Sequence, residues 1–159
     1  MTATYEKIAT NTVSGGSTSS ISFTSISATY TDLVVISNGG LANGGGYAIG
    51  FNGDTASNYS RTFLKGDGST ASSGRTSNAY PLFVTSDGAN QTNIWNIMNY
   101  SNATTYKTFL TRGNGASDNT IAFACLWRST SAINRVDIIC SSTTFTSGFT
   151  ATLYGIKAE

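Results

Sequence analysis

The sequence predicts an all-β fold, a single antiparallel β-sandwich domain over residues 1–159, jelly-roll-like, with about ten strands and little or no helix. Three observations predict it. Short runs rich in β-branched and aromatic residues recur along the whole chain. Clusters of Gly, Asn, Asp and Ser separate them, the residues that tolerate positive φ in turns. No segment of helical length carries apolar residues at a 3.6-residue period.

The predicted strands are Glu6 to Val13, Ser19 to Thr24, Asp32 to Ser37, Tyr47 to Phe51, Tyr59 to Lys65, Tyr80 to Thr85, Asn93 to Tyr100, Tyr106 to Thr111, Thr120 to Arg128, Arg135 to Cys140 and Thr150 to Lys157. Several alternate. Tyr47, Ile49 and Phe51 share one face, and Ile21 and Phe23 alternate with serines. Leu33-Val34-Val35-Ile36 is a continuous apolar run, expected for a strand buried on both sides. Asn93 to Tyr100 carries apolar residues on both faces, so it is buried twice or its second face meets a partner. Turn signals include Gly39-Gly40, Gly44-Gly45-Gly46, Asn52-Gly53-Asp54, Gly66-Asp67-Gly68, Asp87-Gly88 and Gly113-Asn114-Gly115. Ser14 to Ser20 and Ser69 to Ser77 are Ser/Gly-rich and read as mobile loops. A chain of this length buries roughly 70% of its unfolded surface, enough for one core.

Charge excludes several function classes. Charged residues make up 11% of the chain, against a usual ~25%, and the net charge is +1. The nine basic residues are scattered, whereas nucleic-acid binding needs a clustered basic surface. No apolar run reaches the ~20 residues that span a bilayer, and the N-terminus lacks the pattern of a secretory signal. The chain therefore reads as a complete cytoplasmic product with neither nucleic-acid nor membrane partners. A nearly neutral surface suits a molecule that sits in an assembly.

Cys125 and Cys140 are expected to flank a hairpin, with strands joined by Ser129-Thr130-Ser131-Ala132. That register sets Cys125 opposite Val136 and Ile121 opposite Cys140. The thiols then lie about 13 Å apart along the ladder. A disulfide needs Cα atoms within ~7 Å, so two free, buried thiols are predicted.

The search for chemistry finds no catalytic set. The chain has no histidine, which removes the commonest general base and metal ligand. Its acids, Glu6, Asp32, Asp54, Asp67, Asp87, Asp118, Asp137 and Glu159, show no shared spacing, and most sit in turn contexts. Asn52-Gly53-Asp54-Thr55 with Asn58 offers too few carboxylates for calcium and reads as a turn. Gly39 to Gly46 lacks the Lys-Ser/Thr ending of a phosphate loop. No enzyme activity and no cofactor or metal are expected. Tyr30, Tyr59, Tyr80, Trp95, Tyr100, Tyr106 and Trp127 would supply a sugar-stacking platform, or fill the core and its rim.

Seven strings then occur in order: Phe51-Asn52-Gly53-Asp54, Asn58-Tyr59-Ser60-Arg61-Thr62, Gly66-Asp67-Gly68-Ser69, Ile97-Met98-Asn99-Tyr100-Ser101-Asn102, Thr105-Tyr106-Lys107-Thr108, Leu126-Trp127-Arg128-Ser129 and Thr152-Leu153-Tyr154-Gly155-Ile156-Lys157. Together, from about Tyr5 to Lys157, they resemble small virion structural proteins of tailed bacteriophages, including phages of aquatic bacteria and cyanobacteria. The resemblance implies a particle protein without catalytic residues, either a capsid decoration (cement) protein or a tail-fibre-like one. Chain length favours cement: a stand-alone domain docked on the outer face of the capsid shell, over junctions of the major capsid protein. A trimer suits such junctions, and exposed strand edges offer strand addition. The alternative is a tail-fibre or tail-tip module that binds host glycan or surface protein. A carbohydrate-binding accessory of an enzyme is disfavoured. Arg61, Arg75, Tyr80, Trp95 and Arg128 are the candidate interaction residues, because Arg and aromatics are enriched at binding hot spots.

Overall fold

The structure, a computed structural model, describes residues 4–15, 18–43, 45–80, 82–83, 90–115, 119–140 and 142–157. Period-2 alternation lets each run hide one face, and the runs become β1 (Tyr5–Thr12), β2 (Ser20–Phe23), β3 (Asp32–Gly39), β4 (Tyr47–Phe51), β5 (Tyr59–Gly66), β6 (Ala71–Ala79), β7 (Leu82–Phe83), β8 (Gln91–Ile97), β9 (Lys107–Gly115), β10 (Asn119–Trp127), β11 (Val136–Cys140) and β12 (Thr150–Ile156). No helix occurs among the described residues. The strands form two antiparallel sheets. The large one has the order β1-β12-β3-β8-β9-β10-β5-β6, and the small one β2-β11-β4-β7.

The two sheets share one core. The large sheet contributes Leu33, Val35, Trp95, Ile97, Phe109, Phe123, Trp127 and Leu153; the small sheet contributes Ile21, Phe23, Tyr47, Ile49, Phe51, Val136 and Ile138. Rings bridge the layers. Phe51 meets Phe109 edge-on at 5.2 Å between centroids and Trp127 at 5.5 Å, while Tyr47 meets Trp95 at 5.8 Å. Such pairs add about 0.5–1.5 kcal/mol each to the area they bury. One polar bolt crosses the same gap. Ser37 and Asn93 are cross-strand partners on the inner face, and the Tyr47 hydroxyl bonds to Ser37 Oγ at 2.7 Å and accepts from Asn93 Nδ2 at 2.6 Å. Burial pushes the Tyr47 phenol up to about 12.

Several expectations are corrected. β10 and β11 do not form a hairpin. β10 lies between β9 and β5, whereas β11 lies between β2 and β4 in the other sheet. The stretch read as a short loop is part of a crossover between the layers, and it is tied down on its way. Asn52 Nδ2 donates to Ala132 O at 2.8 Å, and Asn52 Oδ1 accepts from Asn134 N and Arg135 N at 2.9 and 3.1 Å. Ile133 N–H donates to Tyr100 O at 2.8 Å, and the Lys107 ammonium donates to Thr130 O at 3.1 Å. Cys125 and Cys140 therefore lie in different sheets, Cys125 opposite Phe109 in the large one and Cys140 opposite Tyr47 in the small one. Both are free and buried, as expected, though not through the expected register. Burial pushes both thiols up to about 12.

Ser69 to Ser77, expected as a loop, largely belongs to β6. This strand carries almost no apolar side chain and is held by its ladder with β5. Gly74 lies opposite Phe63, and a Cβ there would meet the Phe63 ring at 2.6 Å; the glycine leaves room for a ring that β6 itself does not supply. Asn93 to Tyr100 shifts to Gln91–Ile97, and the chain turns at Met98–Tyr100, with Asn99 at φ 51°. Gly113-Asn114-Gly115, expected as a turn, closes β9. Within Tyr80 to Thr85 the described Leu82–Phe83 forms a strand, paired with Ile49 and Ala48, and Val84 lies outside the described residues. Pro81, Thr85, the turn Asp87-Gly88, Asp118 and Glu159 lie outside the described residues.

Candidate functional site

Strand alternation gives the large sheet a second face, directed away from the core. Registers of consecutive strands align its side chains in rows that cross the sheet. One row runs Ser73, Leu64, Ala122, Arg112, Ile94, Ile36, Thr152, Thr10. The next runs Arg75, Thr62, Ala124, Leu110, Asn96, Val34, Tyr154, Lys7. Above β3 this face is largely closed, since its neighbours leave Val34 only 4% exposed. Above β10 it is open. Leu64 is 67% exposed and Leu110 48%.

The contrast in side-chain size carves a trough. Ala122 and Ala124 form its floor on β10, and Leu64 with Thr62 and Leu110 with Arg112 form its walls on β5 and β9. It holds about 370 Å³, with Asn96 at one margin. A second recess of about 460 Å³ shares Thr62, Leu110 and Ala124 and is bounded by Arg75, Ser77, Ser60, Thr108 and Leu126. Arg112 thus borders the first recess and Arg61 and Arg75 the second, and no carboxylate lines either. The ion pairs among the described residues lie elsewhere, Arg135 with Asp137 and Lys157 with Glu6. Arg75 Nε donates to Ser77 Oγ at 2.9 Å. An apolar patch with positive rims has the chemistry of a docking surface.

The five candidate interaction residues do not gather at this face. Arg75 lies in the outward row, and Arg61 also borders the second recess. Arg61 lies on the inner side of β5, with its guanidinium 5.1 Å from the Phe123 ring centroid, and burial lowers its pKa. Trp95 is fully buried in the core. Tyr80 lies 5.8 Å from the Tyr59 ring and over Gly50 of the small sheet. Arg128 clamps a corner, donating to Ser60 Oγ and Ser57 O at 3.2 Å and to Asn78 Oδ1 at 2.8 Å.

The described carboxylates have structural partners. Asp54 accepts from Trp127 Nε1 at 2.7 Å, Ala56 N at 2.9 Å and Asn58 Nδ2 at 3.0 Å. Burial raises its pKa, but these bonds outweigh burial and hold the carboxyl below its usual value. Its surroundings are hydrogen-bond donors, which fits the turn reading and not a cation loop. Asp67 accepts from Ser69 N and Thr70 N in its own turn, and Asp32 accepts from Asn99 N at 2.6 Å.

Leu64, Leu110, Ala122 and Ala124 were not among the sequence candidates. Their signal is an apolar residue at the outward position of a strand whose inward positions are already apolar, as in Phe63-Leu64 and Phe109-Leu110. Comparisons with protein-family models, curated proteins and solved structures return no match.

Proposed function

We propose that this chain is a non-enzymatic structural protein of a tailed-phage particle, a cement protein that docks on the major capsid protein at the outer face of the shell. The observation that carries the docking half is the trough over β10, where Leu64 and Leu110 stand exposed around an alanine floor between Arg75 and Arg112. Burying such a patch yields roughly 25 cal/mol per Å² of apolar area. The particle half rests on the ordered strings that resemble phage virion proteins. A trimer over shell junctions fits this reading.

We read the architecture as a jelly roll with two added hairpins. What supports this is the order of strands. With β5–β6 and β9–β10 set aside, the sheets reduce to β1-β12-β3-β8 and β2-β11-β4-β7. In chain order the remaining strands then alternate between layers, apart from the neighbours β4 and β7, as two interleaved Greek keys require. Both hairpins extend the large sheet, and together they build the trough.

Two measurements test the function. Densitometry of purified virions is expected to show hundreds of copies per particle. A few to tens of copies would assign the chain to the tail and overturn the cement reading. Shells stripped of the chain should rebind it. Leu64→Asp and Leu110→Asp, both at exposed positions, should keep the fold and weaken rebinding at least about tenfold. Unchanged rebinding would remove the trough from the interface.

A further inference from the structure

The large sheet ends at β6, and among the described residues no strand lies beyond this edge. Ladder parity follows from two bonds that flank β5. Asp67 N–H donates to Thr70 O across the β5–β6 turn, and Arg128 N–H donates to Asn58 O on the β10 side. Alternate residues of an antiparallel strand bond to opposite neighbours. Both bonds give the same result: Ser72, Gly74 and Thr76 turn their backbone toward β5, and Ser73 and Arg75 turn theirs away from the sheet. Ser73 and Arg75 are exposed, and none of the described residues pairs with this edge.

The other edges are blunted. β1 is bulged between Lys7 and Ala9, β2 has four residues, and β7 has two. β6 runs for nine residues without Pro or Lys, and its ladder is irregular only near Ala79. A long, open edge is a template for another strand. We propose that β6 is a strand-addition site whose occupant is an extended segment of a partner protein, with an acidic side chain opposite Arg75.

Charge selects this occupant over a second copy. Antiparallel self-pairing along most of β6 sets Arg75 directly opposite or diagonal to its own copy, and like charges there destabilise. A partner acid meets the opposite situation, because Arg75 borders a recess without a carboxylate. The inference rests on the docking reading above, but not on which particle supplies the partner.

The test uses the full chain and two blocked nine-residue Thr/Val peptides, one with Glu and one with Lys at its centre. Millimolar titration is followed by amide NMR and hydrogen exchange. The Glu peptide should shift the Ser73 and Arg75 amides and slow their exchange. The Lys twin should bind about tenfold weaker, since the cross-strand pair turns from attractive to repulsive. Ser73→Pro removes an N–H that serves no native bond, so it should fold and abolish binding, while Ser73→Ala binds normally. Arg75→Glu should reverse the peptide preference, which keeps the test decisive if the proline variant unfolds. Equal binding of both peptides, no binding, or shifts confined to other strands would overturn the proposal. So would wild-type self-association that Ser73→Pro abolishes, which would assign the edge to a second copy. Rebinding to stripped shells is scored separately. If Ser73→Pro rebinds like the wild type, the edge is not the docking route and the cement reading stands. If the wild type itself fails to rebind, the cement reading fails and the peptide result is untouched.

Discussion

Tyr47→Phe deletes one oxygen from the only described hydroxyl that ties β4 of the small sheet to both β3 and β8 of the large one. The ring stays, so packing against Trp95 and Phe149 is kept. Asn93 Nδ2 and Ser37 Oγ lose the partner they had at 2.6 and 2.7 Å, and Ser37, Tyr47 and Asn93 are all fully buried. A buried polar group left without its partner costs about 1–3 kcal/mol. Two of them, one a hydroxyl free to rotate, place the loss at about 3 kcal/mol. For a chain of this size that lowers Tm by roughly 6–12 °C. Urea denaturation and calorimetry measure it, and a double-mutant cycle with Ser37→Ala assigns it. The double variant should lose about 1 kcal/mol less than the sum of the two single losses, because the second change removes a group already orphaned. A loss under about 0.5 kcal/mol, or strict additivity, would refute the bolt as a source of inter-sheet stability.

Two further outcomes follow from the same physics. Burial raises Cys125 and Cys140 from the ordinary thiol value of 9.0 to about 12, so the unfolded chain ionises first as pH rises. Stability is therefore full below pH 9 and falls above it, by about 1 kcal/mol per thiol between pH 9 and 10. Urea midpoints across that range should show the slope, and a Cys125→Ala/Cys140→Ala chain with the same slope would contradict it. Asn52→Ala removes three bonds to the crossover at residues 132–135 from a residue at φ 54° and should cost about 2–3 kcal/mol by urea denaturation. Asn52→Gly, free of the φ penalty, should cost less than Asn52→Ala; the reverse order would show that the left-handed φ carries no penalty, and a loss under about 0.5 kcal/mol in both would show that the side-chain clamp is not what matters.

Much of the fold is legible in the sequence because burying one face imprints a local period. Tyr47-Ala48-Ile49-Gly50-Phe51 announces its strand by itself, and apolar alternation around Cys125 and Cys140 announces that both thiols are buried. Strand partners are not local. The run from Ile121 to Trp127 pairs as well, by pattern, with the run after Ala132 as with β9 and β5. Only the assembled sheets, with Asn52 and Lys107 holding the crossover, decide between them. β6 left no apolar signal because its order comes from the β5 ladder and from Phe63 lying across Gly74.

The trough over β10 was hidden for a related reason. An outward Leu64 or Leu110 reads in the sequence as one more core residue, and an outward Ala122 or Ala124 reads as filler. Their meaning depends on which strands stand side by side, since only the register places two alanines between two leucines and brings arginines to the rims. By itself the sequence determined the β character, the absence of histidine chemistry, the low charge and the burial of the thiols, all properties set within a few residues or by composition. The tertiary structure decided the strand order, the trough and the open β6 edge, because each arises from pairings between segments far apart in the chain, where no local energy distinguishes one partner from another.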